Sequence, residues 1–258
     1  MAQRERFPVG PFYKASLGSH SVAGLCELLH SGRIVQHGLI PWGSNYTFLV
    51  TMDVEQPHLM LAVYKPRRGE APLWDFPNGT LYRRERAAFV LSEALGWGLV
   101  PPTIIRQGPN GVGSLQLYVH HEEEDADYFA LHEAHEREMQ AMAAFDLISN
   151  NTDRKAGHCL RDEEGHIWGI DHGLTFHVQP KLRTVIWDFG GQRVPKPLLR
   201  DVRRVRDDMH NRCGPVSELD DLLFPEEVDA LAHRMQALLK TPEYPCLRTR
   251  RGVPWPFY

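Results

Sequence analysis

The sequence predicts an α+β chain of two unequal lobes, and three observations lead to that class. Short apolar runs punctuated by turn residues crowd the first 120 positions, with one long amphipathic segment among them. Past that point helix-period patterns dominate, broken by one compact hairpin signal around the turn at residues 162–165. An acidic stretch at 120–127 reads as a solvated linker between the two regimes. We therefore expect residues 1–120 to form a β-rich lobe with an N-terminal arm. Residues 121–258 should form a mainly helical lobe carrying a polar loop and a hairpin.

The elements follow in order. Residues 1–18 read as an extended arm, and residues 21–30 as a short helix with Leu25, Leu28 and Leu29 on one side. Three β-like runs follow at 34–39, 46–52 and 59–64, with turns at Asn45 and at 53–57. Residues 67–78, rich in Pro and Gly, read as a loop. A helix is predicted over 80–95, its apolar positions Ala87, Ala88, Val90, Leu91 and Ala94, with Gly96 as the stop. Runs at 103–107 and 114–120, around a turn at 108–113, complete a sheet of about five strands. In the second lobe, 133–147 is helical, with Met139, Met142, Ala143, Phe145 and Leu147 as its core band. After the hairpin, 182–187 reads as another strand, and 197–208, 216–223 and 225–239 as helices. The last of these opens on Pro225, Glu226 and Glu227, which suits a helix N-terminus. Residues 242–258 hold four prolines and a basic cluster and are expected to wrap the surface.

Composition removes several functional classes. The 258 residues carry a net charge of −4, with no basic stripe, so nucleic acid is not an expected partner. No apolar run is long enough to span a bilayer, and the first ten residues lack the apolar centre of a signal peptide. The four cysteines are far apart, with no C-x-x-C, which points to a reduced, cytoplasmic protein rather than a disulfide framework. Oligomeric state is not legible. Fourteen histidines are scattered without H-E-x-x-H; His132 and His135, flanking Glu133, have the wrong spacing for zinc.

The polar groups that remain are concentrated between Ser149 and Gly173. Asp153 follows a helix in a loop with Asn150, Asn151, Arg154 and Lys155, where it can take a proton from a hydroxyl while a cation steadies phosphate charge. Asp171 ends the second hairpin strand, and a hairpin can return it to the same site as Asp153. Its carboxylate suits Mg²⁺, a hard cation that prefers oxygen. His158 can aim at that ion or at a phosphate. Lys65 ends a strand of the other lobe, fit to be a fixed cation on phosphate oxygens, and Glu85 of the following helix can orient it. These are the parts of a nucleotide phosphotransferase.

Four motifs carry a resemblance: V-Y-K-P at 63–66, Y-R-R-E-R-A-A at 82–88, N-T-D-R-K-A-G-H at 151–158 and I-D-H-G at 170–173. With these, residues 30–205 resemble the phosphatidylinositol 3-/4-kinase-like branch of the protein-kinase-like superfamily, and within it a bacterial group from actinobacteria and chloroflexi. The resemblance implies a two-lobed kinase-like fold binding ATP and Mg²⁺ or Mn²⁺. It implies Asp153 as the catalytic aspartate, acting with Lys65, and Asp171 as the metal aspartate. Lys65 would hold nucleotide phosphate with Glu85 as its partner. Leu117, Tyr118 and Val119 would link the lobes and face adenine. The turn at 42–47, with Gly43, Ser44 and Asn45, would cover the phosphates, although it is poorer in glycine than the family form.

His158 departs from the family pattern, which places a metal-binding asparagine there. Imidazole is a softer, bulkier ligand than an amide oxygen. Three outcomes stay open: a metal position altered toward manganese, a phosphate contact with one ion, or impaired catalysis. The triplet D-F-G at 188–190 is a competing metal-aspartate signal, and we prefer Asp171 because a hairpin precedes it. The expected activity is transfer of the γ-phosphate of ATP to a hydroxyl of a small molecule, lipid headgroup or protein; the alternative is a nucleotide-binding pseudokinase that regulates a partner.

Overall fold

The computed structural model describes residues 20–41, 45–54, 59–122 and 127–258. The expected arm at 1–18 and the turn residues Gly43 and Ser44 lie outside them.

Helix α1 (Val22–Ser31) starts where Ser21 Oγ accepts from the Gly24 amide at 3.1 Å, a side-chain N-cap, and buries Leu25 and Leu29 against the sheet. The sheet has five antiparallel strands, β1 (Arg33–Ile40), β2 (Thr47–Asp53), β3 (Met60–Pro66), β4 (Thr103–Gly108) and β5 (Gly111–Leu117), in the order β1-β2-β3-β5-β4. Val50, Met52, Met60, Ala62, Tyr64, Ile104 and Leu115 give it a buried face shared with α1. Strand β3 is central, and Lys65 pairs with Ser114 of β5. A Cβ on Gly113 would lie 2.4 Å from the Lys65 carbonyl, so this glycine lets β5 close over the strand that carries the lysine.

Helix α2 (Leu81–Leu95) ends at Gly96, whose φ of 73° permits the left-handed cap in which the Trp97 amide donates to Ser92. Its Ala87, Ala88, Leu91 and Leu95 belong to the core of the second lobe, with Met142, Phe145 and Ile148, Val202 and Val205, and Leu231 and Met235. These last three groups come from α4 (Glu136–Ser149), α5 (Lys196–Asn211) and α7 (Pro225–Lys240), which follow the one-turn α3 (Tyr128–Leu131). A short hairpin, β6 (Cys159–Arg161) and β7 (Ile167–Gly169), sits between α4 and α5, and a one-turn α6 (Leu219–Leu222) precedes α7. All four cysteines are free. Among the described residues no helix is long and apolar enough to cross a membrane.

Four local expectations need correction. The helix expected at 133–147 spans Glu136–Ser149, and β5 opens at Gly111 because Gly108 pairs directly with Gly111 across a tight turn. The expected helix at 216–223 divides into a 3₁₀ turn (Pro215–Glu218) and α6. No strand forms at 182–187. There the backbone bonds go to the loop after α4: Arg183 N donates to Asn151 O, Arg154 N to Arg183 O, and Val185 N to Arg154 O. The C-terminal arm does wrap this lobe, with the Thr184 amide donating to Gly252 and the Ala156 amide to Phe257.

Candidate active site

The site is built on a buried ion pair that supports the loop after α4. Asp146 and Arg154 are both fully buried; Nε and Nη2 of the guanidinium donate to the carboxylate at 2.9–3.1 Å. Asp146 also accepts from Asn151 Nδ2 and Thr184 Oγ1. Arg154 Nη1 donates to the carbonyls of His158 and Ile170, and Nη2 contacts His172 Nε2 at 2.6 Å. Every Arg154 nitrogen is therefore used, as burial of a guanidinium demands. One side chain thus joins the Asp153 loop to the residues on either side of Asp171. Gly169 is needed beside it, since a Cβ there would meet Met142 at 2.8 Å.

On this frame Lys65, Glu85 and Asp171 meet. Lys65 Nζ donates to Glu85 Oε1 and, at 2.8 Å, to Asp171 Oδ1. The Glu85 Oε2 accepts from the His172 amide at 3.0 Å, so the glutamate ties the lysine to the aspartate's own backbone. Asp171 has φ 61°, a left-handed conformation that aspartate tolerates better than most residues. Burial alone would lower the Lys65 pKa, but the charges of Asp171 and Glu85 outweigh it and raise it. Lys65 in turn holds the Asp171 carboxyl far below the usual carboxylate range. Burial pushes Glu85 upward, opposed by Lys65.

His158 Nε2 lies 3.4 Å from Asp171 Oδ2. Burial lowers its pKa to about 4, with Asp171 opposing and the nearby cations Arg154, Lys155 and Lys65 assisting, so the ring is neutral at pH 7. Its Nδ1 accepts from the Lys155 amide at 3.4 Å, which places the ring proton on Nε2, facing the carboxylate. Asp153 is anchored through its amide, which donates to Asn151 Oδ1, and has Lys155 Nζ 3.5 Å from its carboxylate. Burial raises its pKa to about 6; Lys155 opposes this and Asp171 adds to it. Among the described residues no group of three or more His, Cys, Asp or Glu side chains could hold a metal ion.

The chain leaves the sheet at Leu117 and passes through Tyr118, whose amide donates to Leu61 O, and then Val119. Val119 packs with Leu160, Trp168 and Ile170 of the hairpin, an apolar cluster immediately before Asp171. The Asn45 side-chain oxygen accepts from the Ala71 amide at 2.7 Å, leaving its NH₂ to offer. Asp188 of the D-F-G triplet accepts from Tyr128 OH instead of joining Lys65.

No protein-family model matches the chain. The curated Protein Rv2133c of Mycobacterium tuberculosis is 37% identical over 268 residues, covering 90% of this chain and 94% of that one. The chain belongs to the Rv2133c family. Solved structures extend the likeness at the level of fold. A hydra Fam20 structure with sugar matches at TM-score 0.54 and 15% identity, over 89% of this chain and 90% of that one. The Golgi casein kinase with Mn and ADP bound matches at 0.54 and 12%, over 89% and 77%. The Helicobacter pylori proinflammatory kinase CtkA matches at 0.50 and 14%, over 83% and 93%. This member of the Rv2133c family therefore has the bilobal kinase-like fold: an antiparallel sheet followed by a mainly helical lobe.

Asp146 escapes the sequence reading, although an acid inside the apolar band of α4 is itself a signal. So does Arg84, fully buried on α2, which donates to Glu227 of α7 and to the Thr175 carbonyl.

Proposed function

We propose that this protein is an ATP-dependent phosphotransferase acting on a hydroxyl. The observation that carries this reading is the Lys65 ammonium held between Glu85 and Asp171, with Asp153 close enough for the Asp171 charge to bear on it. Lys65 binds nucleotide phosphate oxygens, and Glu85 fixes its direction. Ile170, the partly exposed member of the cluster with Val119, Leu160 and Trp168, offers an apolar contact for an adenine ring near the backbone of Leu117, Tyr118 and Val119. Asn45 supplies a side-chain donor for the phosphates, and the motif gives Gly43 and Ser44 the same role. Asp153, with its raised pKa near 6, accepts the proton of the acceptor hydroxyl near neutral pH. The phosphatidylinositol 3-/4-kinase-like motifs favour the same assignment, and the fold likeness to the Golgi casein kinase, which holds Mn and ADP, supports the cofactor class.

Asp171 fits a divalent cation. Its side chain is half exposed, its oxygens diverge to Lys65 and His158, and Lys65 keeps it ionised. Mg²⁺ and Mn²⁺ accept one or two protein ligands and fill the remaining positions with phosphate and water. Such an ion would neutralise phosphate charge and orient the γ-phosphate for in-line attack. His158 would serve as a second ligand through Nε2 only in the tautomer protonated on Nδ1, which would give up the long Lys155 contact; an imidazole nitrogen would favour manganese over magnesium.

The direct test is ADP formation from ATP with Mg²⁺ or Mn²⁺. Asp153→Asn and Asp171→Asn should each abolish it, and full activity in both purified variants would sink the mechanism. A second reading, nucleotide binding without transfer, is favoured by the Nε2 proton of His158 pointing at Asp171. Saturable ATP binding with no ADP formation under either metal would select it.

A further inference from the structure

Between the segment at 180–187 and the C-terminal arm at 245–252 lies a groove of about 480 Å³, within the size range of small-molecule sites. Arg183, Arg248, Arg251 and Lys181 line it, over an apolar floor that includes Leu147 and Trp187, and no carboxylate is among its described lining residues. Lys181 is engaged by Asp75 at 2.7 Å and lies over the Trp74 ring. Among the described residues, Arg183, Arg248 and Arg251 form no ion pair. All three are exposed, so an anion seated in the groove can reach several guanidinium groups from one position.

The groove is built into the fold. The Gly252 carbonyl accepts from the Thr184 amide at 3.0 Å and from Trp187 Nε1 at 3.2 Å, fastening the arm to the segment. A Cβ on Gly252 would lie 2.7 Å from Leu247 Cδ1, so a glycine sits at this closest approach. Arg183 also belongs to the catalytic loop's own backbone, donating to Asn151 O and accepting from Arg154 N on either side of Asp153. Its charge acts on the Asp153 carboxyl.

Resting on the proposed phosphotransferase, we propose that this groove seats the phosphate of the acceptor, and that the acceptor is a small polyol phosphate presenting a free hydroxyl to Asp153. Arginine is suited to the phosphate because its planar fork gives two parallel charge-assisted hydrogen bonds. In the transfer, the acceptor O–H bond breaks and its proton passes to Asp153. The oxygen's electron pair forms the new bond to the γ-phosphorus, and the bond from that phosphorus to the bridging oxygen breaks, releasing ADP.

The test is equilibrium binding to the full chain, independent of turnover. The probes are glycerol 3-phosphate, glucose 6-phosphate and inositol 1-phosphate, each against its unphosphorylated parent, together with vesicles containing phosphatidylinositol 4-phosphate and a phosphoserine peptide. At least one polyol phosphate should bind saturably where its parent does not, with affinity falling as salt rises. R248Q/R251Q, at exposed positions and checked for folding by thermal unfolding, should weaken that binding about tenfold or more. Vesicle binding sensitive to the same double substitution supports the same chemistry and assigns the phosphate to a lipid headgroup. Equal binding of phosphorylated and parent compounds, an unaffected double variant, or preference for the phosphopeptide overturns the proposal. ADP binding is measured in parallel on the wild type; its absence contradicts the phosphotransferase reading, while the groove stands or falls on the polyol phosphates alone.

Discussion

Asp153 carries opposing demands at the scale of a single residue. Burial raises its pKa from 3.8 to about 6, so ionising it costs folding free energy. The sign follows from linkage: a carboxyl with a raised folded pKa favours the folded state fully below the unfolded pKa, and that contribution is lost as pH rises through about 6. Asp153→Asn should therefore be more stable than the wild type at pH 7.5, by at most roughly 3 kcal/mol, and the gap should close toward pH 4. Thermal unfolding across that range checks it. A group that lowers stability where it is ionised is expected of catalytic residues. The pH profile of ADP formation should rise through about pH 6 as Asp153 ionises; His158, lowered to about 4, should add no inflection between pH 6 and 8. The meeting of Lys65, Glu85 and Asp171 is legible in the sequence because each stands at an element end or in a motif with a defined interval. The ring orientation of His158 is not, since it depends on a backbone amide three residues away.

At the scale of elements, the loop after α4 and the hairpin are held as one unit by Arg154. Replacing it with Met leaves the fully buried Asp146 carboxylate without its cation, and removal of one partner of a buried pair costs about 3–5 kcal/mol. R154M should lower the urea midpoint sharply, while D146N/R154M should lose less than the sum of the single changes in a double-mutant cycle. Gly169→Ala should cost about 1–3 kcal/mol by pressing on Met142, read in the same urea titration. Strands, α1, α2 and α7 are legible because each repeats its period over two turns or several alternations. The segment at 182–187 has strand composition yet forms no strand, because its backbone groups are taken by residues 151–154. That long-range competition leaves no local trace.

At the scale of the molecule, α2 contributes Glu85 to the site while packing with the second lobe. Its apolar side joins the core of α4, α5 and α7, Arg84 pairs with Glu227, and Arg86 pairs with Glu218. The five-stranded sheet keeps a separate core with α1. Native-state hydrogen exchange should therefore protect α2 together with the second-lobe helices, in a cooperative unit distinct from β1 and β2. The lobe order is legible from the change of period near residue 120, whereas the ion pairs of Arg84 and Arg86 with the later elements use charges that sequence periodicity reads as surface. Lys65 on the sheet and Glu85 on α2 therefore meet across this divide, and the proposed nucleotide would join the two bodies there. The most direct measurement is metal-dependent ADP formation from ATP by the wild type, Asp153→Asn and Asp171→Asn. The account predicts turnover by the wild type alone, with Asp153→Asn still binding ATP; undiminished turnover in both variants would contradict it.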